Sequence, residues 1–429
     1  MFGKECKKAA FSIPFLLLVL VTFLMYWSQI GPDYLSQSKK LTEPQPGENY
    51  GTTESNDPEL VMPAALDSLY AEFTANSYTT YPIGFYHTVK LSGKDTEKMA
   101  GLLSELTGKT PEELLARLDT DAYEPNSVLA VIGEDGEIIP TAPQKNAQNS
   151  VSPVPGLAYD RFEELMAQVD SLLGGGSDYA PGSLSGFGRR AKTYEEALAD
   201  YRAAKEIDHF SGAHARLFSD YMTLFSALLP AFLMVSECLR DRRAKMRDLI
   251  WARRVSSLRI AAVRYFSTVL LSMLPILLLA AVDTVRSVFL YTGQTVDLFA
   301  YFKYTGGWIL PTVMISAATG MFLTEATDTP IGLAVMLLWW FLDLNGNIFQ
   351  MGGGYAGFSL CPRHNSILGA QVFADHFWAL AANRILLAAL SLILLGASAL
   401  ILEAKRKGRW FSYDSFKARF NSRKAGSEA

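Results

Sequence analysis

Residues 236–259 read SECLRDRRAKMRDLIWARRVSSLR, with eight Arg or Lys and three carboxylates set between two long apolar runs. Arg and Lys in short loops stay on the cytoplasmic side of a membrane, so this stretch orients whatever flanks it. It is also longer than a connection needs, because about three residues can reconnect two antiparallel helices. On a helical wheel Leu239, Met246, Leu249, Ile250 and Trp251 form an apolar side, with Arg242, Arg243, Arg247, Arg253 and Arg254 around it. The spacing predicts a short amphipathic helix lying along the inner membrane surface, which returns through residues 255–264 into the next apolar run. Attraction to anionic lipid accounts for the arginines. The interspersed Asp241 and Asp248 suit a surface that pairs with another protein.

Outward from this stretch the 429-residue chain is unevenly apolar, with 49% hydrophobic residues concentrated at 9–30 and after 217, and a polar, mixed region at 31–215. A helix needs roughly 20 apolar residues to cross a bilayer. Ala9–Ile30 is uncharged, follows Lys4, Lys7 and Lys8, and ends in the interfacial group Met25-Tyr26-Trp27. Its length and the lack of a small-residue cleavage site predict an uncleaved anchor rather than a signal peptide. Between flanking charges lie 16 uncharged residues for Asp220–Glu237, 18 for Arg264–Asp283, 21 for Lys303–Glu325 and 18 for Arg384–Glu403. The Asp220–Glu237 crossing is expected to begin at Ala213 with Asp220 at the interface, and Arg384 is expected to snorkel to the outer interface.

The remaining apolar run is short. Asp328 and Asp343 enclose 14 uncharged residues opened by Pro330, and a helix ending at Leu342 would reach only ~20 Å. This crossing must either continue through Asp343 or bend into a re-entrant piece, which is allowed at that depth only under protein cover or beside a water-filled cavity. Asp343 is read either as a pathway-lining carboxylate, beside Asn345 and Asn347, or as a group at the outer headgroups. Counting it, the fold class is an α-helical polytopic membrane protein with six transmembrane helices and a large, mainly helical extracytoplasmic domain between the first and second. Segments 1–8, 237–264 and 404–429 carry 3, 9 and 8 Arg/Lys, against 2 each in 283–303 and 343–384. That bias places both termini in the cytoplasm and 31–215 outside a plasma membrane.

The expected organisation is a cytoplasmic N-terminus and first span at 1–30, a polar linker at 31–57 and an extracytoplasmic domain at 58–212. Five further spans follow at 213–403, interrupted by the cytoplasmic segment 237–259, and then a basic tail at 404–429. Helices are predicted over LDSLYAEF, DTEKMAGLLSEL and TPEELLARL, the last with a Thr110/Glu113 capping box. A strand pair is predicted around Gly133-Glu-Asp-Gly136. A helix opened by Thr193 and Glu196 is expected to run almost unbroken into the second span. Cys6, Cys238 and Cys361 all lie outside 31–215, so that domain is held by its core rather than by disulfides.

The chain offers no chemistry of its own. GLLSELTGKT has Leu103 where a phosphate-binding loop needs Gly. GSLSG has Leu184 where a nucleophile elbow needs Ser. His209 and His214 do not share a helix face, Glu112-Glu113 and Glu195-Glu196 fit helix first turns, and no cofactor or metal is expected. A net charge of -4 argues against a nucleic-acid partner.

The order of features carries a resemblance. A cytoplasmic N-terminus, one span, a large external insertion, a span ending in Glu237, a basic cytoplasmic helix, an interrupted fifth span and a last span entered through WALAANR resemble the permease subunits of type-2 ATP-binding-cassette exporters, with the ATPase on a separate chain. The resemblance covers nearly the whole chain in topology rather than in motifs, and the 31–215 domain is longer than in compact members. It implies a coupling segment that docks into a cleft of the cassette ATPase and is formed by Glu237, Arg240, Asp241, Arg242, Arg243, Arg247, Asp248 and Arg254. It also implies a homodimeric or heterodimeric permease in the lipid bilayer. The alternative from the residues is a membrane-anchored sensor or receptor with an extracytoplasmic ligand-binding domain.

Overall fold

The structure is a computed structural model that describes residues 1–31, 35–82, 86–118, 130–132, 138–140, 151–251, 254–347, 355 and 357–409. At 54, 130–132, 138–140, 247–248 and 345–347 it describes the backbone alone. The helices in chain order are α1 Phe2–Ala10, α2 Ile13–Met25, α3 Pro58–Thr74, α4 Lys94–Thr107, α5 Pro111–Leu115, α6 Tyr159–Leu172, α7 Tyr194–Glu206 and α8 Ser211–Ser226. Then follow α9 Leu229–Arg243, α10 Arg247–Trp251, α11 Ser257–Leu290, α12 Ala300–Tyr304, α13 Leu310–Thr327, α14 Ile331–Asn347, α15 Ala370–Asp375 and α16 Phe377–Arg406. The strands are β1 Thr52–Glu54, β2 Tyr78–Thr80, β3 His87–Val89, β4 Ala130–Ile132, β5 Ile138–Pro140 and β6 Arg189–Ala191. They form three antiparallel pairs, β1–β6, β2–β3 and β4–β5, the last flanking Gly133-Glu-Asp-Gly136 as predicted.

The chain divides into two compact units, one of residues 1–44 and 198–429 and one of residues 45–197. The second begins inside the stretch expected to be linker, because β1 pairs there with β6 and Ser55 N donates to Gly188 O at 2.7 Å. Its core is helical. In α3, Val61, Ala65, Leu69 and Phe73 recur every four residues and are buried, and α6 repeats the pattern with Phe162, Leu165, Met166 and Val169. A fully buried Leu or Phe contributes ~1.5–3 kcal/mol of transfer free energy, and this cluster is the core of a unit that contains no cysteine. The Thr110/Glu113 and Thr193/Glu196 capping boxes are both formed. Gly108 closes α4 in the left-handed conformation, so GLLSELTGKT is a helix end followed by a capped helix start.

Among the described residues, five helical stretches in the first unit are long and apolar enough to cross a membrane: Ile13–Ile30, Ser211–Arg243, Ser257–Leu290, Ala300–Thr327 and Phe377–Arg406. The second of these bends at Ala227-Leu228, ahead of Pro230 in the first turn of α9. The fifth expected crossing corresponds to α14, whose apolar part, Ile331–Leu344, is shorter than the others. Close approach of α9, α13 and α14 depends on small residues. A Cβ on Gly320 would lie 3.2 Å from Ala231 Cα, and one on Gly332 would lie 3.1 Å from Gly320 Cα.

One expectation about helix continuity fails. α7 ends at Glu206, and His209 and Phe210 take positive φ before α8 begins, so no unbroken helix enters the second span. The break lets Asp208 turn back to accept two hydrogen bonds from the buried Arg216 guanidinium, at 2.8 and 2.9 Å. Two charge-assisted hydrogen bonds on a buried cation outweigh the few helical hydrogen bonds lost.

Candidate functional site

Charges at the ends of four helices and of α1 meet around the start of the basic segment. Glu237 and Asp241 stand one turn apart on α9, so both face Lys8 of α1, at 3.5 and 3.1 Å. Lys8 also lies 3.6 Å from Glu5. Asp241 is paired in addition with Arg264 of α11, whose guanidinium reaches Glu325 of α13 at 3.7 Å. Arg240 donates to Glu237 at 3.2 Å and to the Lys8 carbonyl at 3.0 Å. Glu237, Arg264 and Glu325 are each less than a tenth exposed. Buried charges at such density are tolerable only because each faces an opposite charge.

Two further contacts extend this joint. Arg242 donates to the Asp328 carbonyl at 2.6 Å, and the Asp328 carboxylate accepts from Lys405 of α16 at 2.9 Å. Arg406 donates to the carbonyls of Trp251 and Val255, at 2.9 and 2.7 Å. The segment after α9 is therefore fastened at both its ends to the far end of the last long helix. A cavity of about 20 Å3, room for roughly one water, is lined by Asp241, Arg264, Glu325, Cys238, Ile250 and Trp251. Through it α10 lies against the charged joint.

The expected coupling residues divide into three groups. Glu237, Arg240, Asp241 and Arg242 belong to the joint. Arg243 and Arg254 are exposed, while the side chains of Arg247 and Asp248 lie outside the described residues. The expected single amphipathic helix is instead two pieces. Residues 237–243 complete α9, Lys245 takes φ of +54°, and α10 supplies one and a half turns. Contacts of Glu237 and Asp241 with other helices hold those residues in α9, which periodicity within the stretch does not reveal. Lys8, Arg264, Glu325, Asp328 and Lys405 were not singled out. Their signal was that charges bounding different apolar runs fall at the same end.

The second polar cluster lies ~25 Å from Glu237 along α8 and α9 and surrounds residues 357–368, which follow α14. Residues 359–364 are buried among helices, and side chains satisfy much of their backbone. Asp343 accepts from Cys361 N at 2.6 Å, Thr312 donates to Leu360 O at 2.9 Å, and Arg384 donates to Ser359 O at 2.6 Å. Asp220 accepts from the backbone of His364 and Asn365, at 3.0 and 2.6 Å, and pairs with Arg363 at 3.2 Å. Two expectations are corrected here. Asp220 is buried rather than interfacial, and Arg384 turns inward, 4% exposed, instead of snorkelling outward. Both are held by carbonyl or amide groups of residues 359–365, irregular backbone without helical partners of its own. Helix α14 continues through Asp343 to Asn347, and Cys361 lies against Asp343. The side chains of Asn345 and Asn347 lie outside the described residues.

Among the described residues no cluster of His, Cys, Asp and Glu could hold a metal ion. No family model matches the chain, and no curated protein or solved structure is significantly similar to it.

Proposed function

We propose that the chain is the permease subunit of an ATP-driven exporter, coupled through residues 237–259 to a separate cassette ATPase. In this reading six helices cross the plasma membrane, α14 being the short fifth, and both termini and the basic segment are cytoplasmic. The unit of residues 45–197 is extracytoplasmic. Two such permeases, identical or not, enclose the pathway, and Asp343 with residues 345–347 and 357–368 stands at its outer gate.

The charged joint is the observation that supports this most. A push on α10 reaches α9 through the chain, α1 through Lys8, α11 through Arg264, α13 through Glu325 and α16 through Arg406. Elements packed this way have few discrete arrangements, which is what converts a small displacement at one end into a rigid movement of helices. An anchor that merely held the loop to lipid would need the arginines but not the carboxylates that answer them.

Purification of the full chain from its native membrane under mild conditions tests the proposal. A nucleotide-hydrolysing subunit should accompany it, and Arg243→Glu should abolish that association. Arg243 is exposed, so the variant keeps its fold. Recovery of a kinase or another effector in place of a nucleotide-hydrolysing subunit would favour the sensor reading, and an unaltered association in Arg243→Glu would remove this segment from the interface.

A further inference from the structure

An open groove of about 910 Å3 runs between the start of α11 and the last turns of α16. Trp251, Ser256 and Leu258 form one wall, and Gly396, Leu400 and Lys407 lie on the other. We propose that this groove binds one anionic glycerophospholipid, with an acyl chain against Leu258, Gly396 and Leu400 and its phosphate at Lys407 and Ser256. The inference requires only that these helices cross a membrane and is independent of any motor subunit.

The polarity is graded along the groove. From Gly396 to Lys407 the helix rises ~17 Å, close to the ~15 Å hydrocarbon depth of one leaflet. Toward its apolar end the groove exposes Leu400 at 73%, facing Leu258, 58% exposed, in the first turn of α11. Gly396 widens the groove. Glycine is a poor helix former, and where a helix interior keeps one there is commonly a packing reason. Among the described residues no helix packs on Gly396, in contrast to Gly320, since nothing lies within 4 Å of a Cβ placed there. The missing side chain therefore leaves room for something outside the protein.

The charge at the other end selects the headgroup. Glu403 accepts from Ser257 at 2.6 Å and lies 3.0 Å from Lys407, so its charge is answered locally. Beside it in the groove wall stand Lys407, exposed, and Arg406, half-buried. Two cations against one carboxylate favour a phosphodiester carrying net negative charge over a zwitterionic headgroup. They also argue against a second copy on this face, because an isologous contact would set the same cations against each other.

The test is native mass spectrometry of the full chain in detergent, titrated with dioleoyl phosphatidylglycerol or dioleoyl phosphatidylcholine. One phosphatidylglycerol should be retained about tenfold more strongly than phosphatidylcholine, the scale expected for one or two surface cations. Gly396→Leu, which fills the groove without meeting protein, and Lys407→Gln should each lower that retention about fivefold. Leu386→Ala, on α16 outside the groove, should leave it unchanged. Equal retention of both lipids, or full retention by Gly396→Leu, overturns the proposal. Displacement of the lipid by glycerol phosphate would assign the site to a soluble phosphoester, and a dimer appearing as lipid leaves would assign it to a second copy; either result also overturns it.

Discussion

Arg384 offers the sharpest test of how the segment 357–368 is held. Its guanidinium donates to Asn383 Oδ1 at 2.6 Å, Thr312 Oγ1 at 2.8 Å, Trp308 O at 3.2 Å and Ser359 O at 2.6 Å. Hydrogen bonds from a charged donor contribute ~1.5–3 kcal/mol each, against several kcal/mol for burying the guanidinium. Arg384→Met removes both and leaves the Thr312–Leu360 link without its support. The net loss should be ~3–5 kcal/mol, which at 1.4 kcal/mol per tenfold raises local opening by roughly two to three orders of magnitude. Cys361 is a built-in reporter, since its thiol is free and fully buried in this segment. In lipid nanodiscs, with Cys6→Ser and Cys238→Ala as background, its maleimide modification rate should rise by that factor. Arg384→Lys keeps the charge but loses the fork and should fall between. Thr312→Val, a milder change that removes one link at each side of its hydroxyl, should raise the rate about tenfold. A rise of less than about threefold in Arg384→Met would show that Arg384 does not hold the segment.

Three further outcomes follow from the geometry. Gly320→Ala should lower the thermal midpoint although helix propensity favours Ala by ~1 kcal/mol, because its Cβ meets the Ala231 backbone at 3.2 Å and overpacking costs ~1–3 kcal/mol; a raised midpoint would refute the close contact. Lys8→Gln leaves Glu237 and Asp241 facing one another with less compensation, so it should destabilise by ~1–3 kcal/mol and be partly rescued by Glu237→Gln, whereas additive losses in a double-mutant cycle would deny the coupling. The Arg190 guanidinium, then the Thr193 N–H, hold the Glu196 carboxyl down at about 2, below its ordinary 4.5. A depressed folded value means the stabilisation is complete above pH 4.5 and is lost as pH falls through 2, so hydrogen-exchange protection of 189–196 should exceed that of Glu196→Gln only above this window.

What the sequence reveals here is governed by how local the determining interaction is. The capping boxes at Thr110 and Thr193, the strand pair around residues 133–136 and the long apolar helices are fixed by contacts within a few residues, and all were readable. The division of 236–259 was not, since Asp241 remains in α9 on account of Lys8 and Arg264, which are far away in sequence. The same reasoning explains Asp220 and Arg384. Each bounds an apolar run, and a charge at such a boundary is expected to reach for water. Both instead face a stretch of backbone that comes to them from residues 357–368, and this stretch, rich in Gly, Ser and Pro, has no helical partners of its own. Charges flanking a span have two ways to be satisfied, by solvent or by irregular backbone at depth. The sequence distinguishes them only if it holds a segment able to supply that backbone. The interruption after Asp343 was such a segment, so the inward turn of Arg384 and the burial of residues 359–364 are two views of one constraint. If Arg384→Met left Cys361 protected, that constraint would not run through Arg384, and Arg384 would owe its burial to packing that tolerates it.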